Sequence, residues 1–159
     1  MDFNISGGDA LAKALMELAP KIEKNILRGA VRAGSVVIQK EAQSRAPVLQ
    51  SPDPRRKPGT LKNAIRVRGA KIVRGVGVVG GVIVRPLTAG QISKFKSQGG
   101  GKGANNPDDP FYANFVEFGT VKMAQRPFMR PALSSKAQAA IDTVAQYTRE
   151  RLDKEATST

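Results

Sequence analysis

Few residues in this sequence have the types and spacing that catalysis requires. Asp108 and Asp109 are the one pair of adjacent acids, and paired carboxylates can hold a divalent metal ion that activates water. The pair stands in "NNPDDP", where asparagine and the flanking prolines favour a turn. The chain contains no histidine and no cysteine, so the commonest general base, the commonest metal ligand and thiolate nucleophiles are missing. A turn is therefore the favoured interpretation of these two aspartates, and a metal-dependent nuclease site the less favoured one.

Two glycine-rich runs match nucleotide-binding loops only in part. Gly75, Gly77 and Gly80 in "GVGVVGG" have the spacing of a dinucleotide-binding loop, but such a loop opens a helix and precedes an acid by about 20 residues. Here the β-branched run "VIVRP" follows, and glycines within a strand are more typical of a bulge. In "GGGKGA", Gly103 stands where a phosphate-binding loop needs serine or threonine. We therefore expect a protein that is not an enzyme, with no cofactor, no metal and no small-molecule substrate.

Hydrophobic periodicity predicts several helices. Leucines at helical spacing indicate a first helix over residues 9–19, and an apolar stripe indicates a long second helix over residues 21–46, which Pro47 ends. From Ser134 onward a further stripe predicts a long amphipathic C-terminal helix, whose last residues, 153–159, fray into a tail. A chain of 159 residues fits a single domain. The N-terminus lacks the pattern of a secretory signal and no apolar run is long enough to span a bilayer, so we expect an unexported protein without a membrane segment.

The middle of the chain predicts a small antiparallel sheet. Residues 60–87 are rich in β-branched side chains, which indicates two strands joined by a turn around Gly69. Charged and apolar side chains alternate along the first strand, so we expect one solvent-exposed, basic face and one buried face. The charged ones are Lys62, Arg66 and Arg68, and the apolar ones Ile65 and Val67. Segments 48–58 and 87–110 carry many prolines, glycines and serines, which favours flexible loops. The predicted fold class is α+β: N-terminal helices, a small antiparallel β-sheet, a short aromatic helix and a long C-terminal helix.

Positive charge is concentrated in the same region. The net charge is +13, and between Pro54 and Pro107 there are basic side chains but no acidic one. Such a field of one sign favours a polyanion or an acidic protein surface as its neighbour, the alternative being a solubilising face. The candidate contacts are Arg55, Arg56, Lys57, Lys62, Arg66, Arg68, Lys71, Arg74, Lys94 and Lys96.

The stretch "FYANFVEFGTVKMAQRPFMRPAL", residues 111–133, holds five of the eight aromatic side chains. Its first three phenylalanines are spaced i, i+4, i+7 before Gly119, which predicts a short aromatic helix ending at that glycine. Glu117 then falls in the last turn, where the helix dipole disfavours a negative charge, so we expect it to pair with Arg126 or Arg130. We also expect Phe118 and Phe128 to be buried.

This stretch has two interpretations that are compatible with each other. It can be the core hinge between the sheet and the last helix, or an oligomer interface, because interface cores are enriched in aromatic residues, Met and Arg. The candidate interface residues are Tyr112, Phe115, Glu117, Phe118, Gly119, Thr120, Arg126, Phe128, Met129 and Arg130.

Four segments together resemble a known family. The order "RAPV", "GTLKNAI", "YANFVEFGT" and "RPFMRPAL", within about residues 27–141, is similar to the neck, or head–tail joining (tail completion), proteins of long-tailed double-stranded DNA phages. The matching positions are Ala46, Pro47, Gly59, Leu61, Ile65, Tyr112, Ala113, Glu117, Phe118, Gly119, Thr120, Pro127, Phe128, Arg130, Pro131 and Ala132.

The resemblance implies a structural protein of the virion neck, present in the host cytoplasm during assembly. Such a protein forms or joins a ring at the head–tail interface and is needed to attach tails to DNA-filled heads. Its implied partners are further copies of itself, a head-closure or connector protein, a tail terminator and the tail tube, with transient contact to packaged DNA. Because DNA must slide through a neck, acidic protein neighbours are favoured for most of the basic charge. The alternative function is a non-specific nucleic-acid-binding protein that uses the basic β-hairpin.

Overall fold

A computed structural model describes residues 20–50, 56–74, 77–100 and 105–157. In these ranges the chain forms five α-helices and a two-stranded antiparallel sheet, which confirms the predicted α+β class. In chain order the elements are α1 (Pro20–Arg45), α2 (Thr60–Ala64), β1 (Ile65–Val73), β2 (Gly77–Val84), α3 (Ala89–Ser97), α4 (Ala113–Phe118) and α5 (Met129–Thr157). The helix predicted over residues 9–19 lies outside the described residues.

The two strands pair from Ile65 opposite Val84 to Val73 opposite Gly77. The turn predicted around Gly69 is therefore wrong, because the chain reverses only after Val73. Gly69 instead lies in a register shift between Arg68 and Lys71, where residues 69–70 oppose a single residue of β2. A β-bulge of this kind accommodates an extra residue without ending the strand, and it explains a glycine in the middle of the run.

The hairpin packs one face against α1. A Cβ atom on Gly80 would lie 2.5 Å from Val31 Cγ1 of α1, so only glycine permits this approach. At the start of β1, the side-chain amides of Gln39 and Gln43 both donate to the carbonyl oxygen of Ile65, at 2.9 and 3.1 Å. These contacts hold the sheet against α1 between Val31 and Gln43 and leave the other face of the sheet towards solvent.

Helix α5 packs along α1 at close range because small residues line the contact. Ala30 and Ala140 are buried, and a Cβ on Gly34 would lie 2.7 Å from Val144 Cγ2 and 2.8 Å from the Ala140 carbonyl oxygen. The buried hydroxyl of Thr148 donates to the Val144 carbonyl oxygen, so it is satisfied within α5. Among the described residues, no helix is long and apolar enough to cross a membrane.

The main apolar cluster lies where the C-terminal end of α1 meets α2, β1, α4 and the start of α5. Phe128 fills its centre at 1% exposure, which confirms the prediction that this side chain is buried. Its buried members are Ala42, Ala46, Leu61, Ile65, Ala113, Phe128 and Ala132. The stretch 111–133 is thus joined directly to the core, as the hinge interpretation expects.

Other boundaries differ from the sequence predictions. Lys62 lies in α2 rather than in the first strand. Residues 89–97 of the predicted loop form α3, because Thr88 caps it: Thr88 Oγ1 accepts from the Gln91 N–H, and Gln91 Oε1 accepts from the Thr88 N–H. Helix α5 begins at Met129, five residues before the predicted start, and continues to Thr157 through most of the segment expected to fray.

Candidate functional site

The carboxylate of Glu117 joins α4 to α5. Its Oε2 accepts the backbone N–H groups of Phe128 and Met129 at 2.8 and 3.0 Å, and its Oε1 accepts the Arg130 N–H at 3.1 Å. The Arg130 Nε group also donates to Oε1, at 3.2 Å. The predicted ion pair is thus confirmed with Arg130 as the partner. We call this arrangement the carboxylate clamp: Glu117, the three N–H groups of residues 128–130 and the Arg130 side chain.

The clamp explains why an acid is stable in the last turn of α4. The C-terminal end of α4 disfavours a negative charge, but the N-terminal end of α5 points its unpaired N–H groups and its positive dipole end at the same carboxylate. Burial alone raises the pKa of Glu117, while the N–H groups of residues 128–130 and the Arg130 guanidinium lower it by more, so that the net pKa lies below its ordinary value of 4.5. Glu117 therefore acts as an N-terminal cap of α5, supplied from 12 residues away along the chain.

Arg130 has three further contacts that orient its guanidinium, one of them the donation from Nη2 to Gln125 Oε1 at 3.4 Å. Its Nη2 group donates to the Glu117 carbonyl oxygen at 3.1 Å, and the guanidinium carbon lies 5.0 Å from the centre of the Phe118 ring. Arg126, the other predicted partner, instead donates its backbone N–H to the Val116 carbonyl oxygen at 2.8 Å. The ends of α4 and α5 are thus fixed to each other from both sides.

A tight turn follows α4. Gly119 has a φ of 77° and ends the helix as predicted, and a Cβ there would lie 3.0 Å from the Gln125 nitrogen. Thr120 and Met123 then pair across the turn through two backbone hydrogen bonds. Val121, at the tip, is fully exposed.

The phenylalanines of α4 and Phe111, two residues before it, face solvent. Phe111, Phe115 and Phe118 are 47%, 48% and 64% exposed, so the prediction that Phe118 is buried is wrong. The opposite side of this helix carries Ala113 and Glu117, which are buried, because Phe128 already fills the core and the clamp needs the carboxylate inside. The i, i+4, i+7 spacing identified a stripe on one side of the helix, but it could not show which side packs inwards. We call Phe111, Phe115 and Phe118 the aromatic stripe.

An arginine extends the stripe at its N-terminal end. The Arg56 guanidinium carbon lies 4.7 Å from the centre of the Phe111 ring and 5.8 Å from that of Tyr112. Lys57 pairs with Asp108 at 2.9 Å. Arg56 and Lys57, two of the predicted polyanion contacts, are thus engaged within the fold, and Arg55 lies outside the described residues.

The two adjacent aspartates form a turn, as the sequence favours. Asp108 carries the Lys57 pair, and the Asp109 Oδ1 atom accepts from the Phe111 N–H at 3.1 Å. In the ranges that the structure describes, no group of three or more acidic side chains is arranged to hold a metal ion.

An apolar groove of about 570 Å³ lies beside the aromatic stripe. Tyr112 and Val116 form one wall, and the residues after α1 form the other. Burial raises the pKa of the Tyr112 hydroxyl, an effect that the Arg56 charge and the Leu61 backbone only partly offset. The lining residues are Pro47, Val48, Leu49, Gln50, Arg56, Lys57, Gly59, Tyr112, Val116, Met123, Ala124 and Arg126.

The remaining predicted polyanion contacts stay exposed and unpaired. Sequence alternation correctly placed Arg66 and Arg68 on the solvent side of β1, opposite the face that meets α1. Among the described residues, none of the exposed cations between positions 62 and 96 forms an ion pair or a side-chain hydrogen bond. These cations are Lys62, Arg66, Arg68, Lys71, Arg74, Arg85, Lys94 and Lys96.

Comparison with curated proteins and with solved structures gives no match. Residues 9–119 match the family described as "Bacteriophage HK97-gp10, putative tail-component". The matched range contains α1, α2, the β-hairpin, α3 and α4, and it ends two residues after Glu117 of the clamp. A tail component is a structural part of the virion and works in contact with other virion proteins. The chain belongs to this HK97-gp10-like family of bacteriophage tail components, in agreement with the resemblance of its sequence to head–tail joining proteins.

Proposed function

We propose that this tail component acts at the head–tail junction, where copies of it form a ring that joins DNA-filled heads to tails. The observation that carries the proposal is the exposed aromatic stripe, which the carboxylate clamp holds rigidly on the surface. Its position in the assembled particle is the neck, and before assembly the host cytoplasm.

The aromatic stripe has the composition of an interface core. Phenylalanine side chains have large apolar areas, and three of them at about half exposure or more are costly to leave in water. Exposed patches of this kind mark contact sites, and arginine next to aromatic rings is typical of their energetic centres. Here Arg56 and Arg130 contact the two ends of the stripe.

The clamp contributes by holding the stripe in place before binding. A short six-residue helix has little stability of its own, so without the bonds from Glu117 its orientation would vary. Fixing a surface in its bound conformation lowers the entropy lost on association. Glu117 thus supports the interface from the buried side of α4, while Arg130 lies at the surface beside Phe118.

A ring requires that each copy present two different surfaces, one for each neighbour. The aromatic stripe supplies one surface, and the adjacent apolar groove, with its cationic rim, is suited to supply the other. The ring's flat faces would then contact a connector or head-closure protein on one side and the tail terminator or tail tube on the other. We assign the protein no catalytic role.

The direct test is a stop codon early in this gene of the phage, followed by electron microscopy of the lysate. We expect full heads and finished tails that are not joined, and we expect a plasmid copy of the gene to restore complete virions. Normal virions without the protein would contradict a joining role. Heads without tails of any kind would indicate an earlier function in tail assembly.

The stripe itself is tested by complementing that mutant with a Phe115→Ser, Phe118→Ser variant. We expect unjoined heads and tails, together with monomers in light scattering under conditions where the wild-type protein forms rings. Ile141→Ser is a matched control, because Ile141 is similarly exposed, at 51%, but lies on α5 away from the stripe. Full complementation by the double variant would overturn the assignment of the stripe, even if the joining role itself held.

A further inference from the structure

One side of the hairpin and its continuation form a surface of unpaired positive charge. Arg66, Arg68 and Lys71 project from the face of β1 that α1 does not cover, since the Gly80 side of the sheet packs on α1. Arg66 and Arg68, two positions apart on one strand face, are separated by about 6.5 Å of backbone. We call this set, together with Arg85, Lys94 and Lys96, the basic surface.

Helix α3 brings the remaining charges next to the strand. A polar groove of about 450 Å³ is lined by Arg66, Arg85 and Gln91, which joins the strand face to the first turn of α3. Lys94 lies one turn further along the same side of that helix as Gln91. The only carboxylate in the groove lining is that of Asp108, which Lys57 already pairs. The groove therefore connects the Arg66 side of β1 to the Gln91 and Lys94 side of α3, and its one carboxylate is already paired.

Helix α3 also indicates that the surface has an external partner. It has nine residues, none of them fully buried, and a capping box at its N-terminal end. A helix this short is marginal in water unless it packs on something. Both of its lysines lie in the last turn, where the helix dipole favours cations, and they face solvent.

We propose that the basic surface binds the phosphate backbone of duplex DNA without reading its sequence. Protein–protein interfaces are depleted in lysine, whereas protein–DNA interfaces are polar and strongly positive. The basic surface has three lysines, three arginines and no acidic member. It also lacks an exposed ring for base stacking, because Phe95 of α3 packs over Gly100. Its contacts therefore suit phosphates rather than bases.

DNA must slide through a neck, and from the sequence alone this requirement favours acidic proteins as neighbours of the basic charge. It does not, however, argue against DNA as the partner. Contacts from lysine and arginine to phosphates are independent of sequence, and such contacts let proteins slide and hop along DNA. A neck component would thus guide the genome without holding it at one position. The proposal does not depend on ring formation, because the basic surface and the aromatic stripe share no residue.

The test is the affinity of the purified full chain for a mixed-sequence duplex, measured by fluorescence anisotropy at several salt concentrations. With about five phosphate contacts, we expect log K to fall with log salt at a slope of about −4.5, which is about 500-fold between 50 and 200 mM. In an Arg66→Ala, Arg68→Ala variant we expect a slope of about −2.7. Arg28→Ala, Arg149→Ala is the matched control, since it removes the same charge from exposed positions on α1 and α5. We expect the control to keep the wild-type slope.

Three results would overturn the proposal: no binding at 50 mM salt, equal losses in the two double variants, or tighter binding to polyglutamate than to DNA at equal charge concentration. The last result would assign the surface to an acidic protein. The Phe115→Ser, Phe118→Ser variant separates this question from the joining role. It should bind DNA with the wild-type slope per copy even though it fails to complement.

Discussion

Replacing Glu117 by glutamine tests how much of the fold depends on the carboxylate clamp. Glutamine has nearly the same shape, but its NH2 group must take the place of one carboxylate oxygen. Each oxygen accepts two donors: Oε2 those of Phe128 and Met129, and Oε1 the N–H and the Nε of Arg130. The less costly orientation turns the NH2 group towards Arg130, whose exposed Nε can be hydrated instead. One backbone N–H then loses its acceptor.

The expected cost follows from these contacts. An N–H left without an acceptor at this partly buried position costs about 1–3 kcal/mol. Removing the negative charge from the N-terminal end of α5 costs about 0.5–2 kcal/mol more. The sum is close to 3 kcal/mol, which at an m value of about 2 kcal/mol/M lowers the urea midpoint by about 1.5 M. Asp108→Asn is the control, because it changes an exposed pair and should cost no more than about 1 kcal/mol.

The pH dependence gives a second measurement of the same interaction. The pKa of Glu117 is lowered in the folded state relative to its ordinary value of 4.5, so the carboxylate stabilises the fold above that pH. This contribution is lost as the pH falls through the folded pKa. The difference in unfolding free energy between wild type and Glu117→Gln should therefore be full at pH 7 and shrink below pH 4.5. A midpoint shift under about 0.3 M urea, or a difference independent of pH, would refute the clamp as a source of stability.

Five further substitutions test the burial of two phenylalanines, the backbone conformation of Gly119 and the close contact of α1 with α5. Phe128→Ala should lower the free energy of unfolding by about 3–5 kcal/mol, because Phe128 is buried, and Phe118→Ala by less than about 1 kcal/mol, because Phe118 is exposed. Similar losses in the two variants would contradict this difference in burial. Gly119→Ala should cost about 1–3 kcal/mol in thermal unfolding, since its φ is 77° and a Cβ meets the following turn, and a neutral result would contradict this backbone conformation. Gly34→Ala should lower the free energy of unfolding by about 1–3 kcal/mol, because its Cβ collides with α5. Gly90→Ala, which has open space around it on α3, should raise that free energy by up to about 1 kcal/mol. Equal effects of the two substitutions would contradict the close contact between α1 and α5.

The sequence predicts those contacts of the site that depend on residues close together in the chain. The pair of Glu117 with Arg130 was predictable because a carboxylate in the last turn of a helix needs compensation. The three backbone N–H groups were not, since they depend on α5 beginning at Met129, five residues before the start that its apolar stripe predicts. Helix α3 had a readable signal, because Thr88 and Gln91 form a capping box.

Two sequence predictions were wrong: which side of the aromatic helix faces the core, and where the chain turns between the two strands. The spacing of Phe111, Phe115 and Phe118 located the aromatic helix, but the apolar stripe of a helix usually faces the core, and here it faces solvent. Only the three-dimensional structure shows that Phe128 occupies the core in their place. The turn expected at Gly69 failed because a glycine in a strand serves a bulge as readily as a turn.

The clamp connects the part of the chain that matches the family with the part that does not. The match ends at Gly119, whereas α5 begins ten residues later, and the bonds from Glu117 are what set α4 against α5. The aromatic stripe lies on the outside of α4 and its carboxylate on the inside, so a force on the stripe is transmitted to the first turn of α5 through Glu117 and Arg130. A partner that binds the stripe and moves α4 would thus have to break the clamp or move α5 with it. Because α5 packs along α1 at a spacing that Gly34 makes tight, the second outcome would displace the helix on which the hairpin rests.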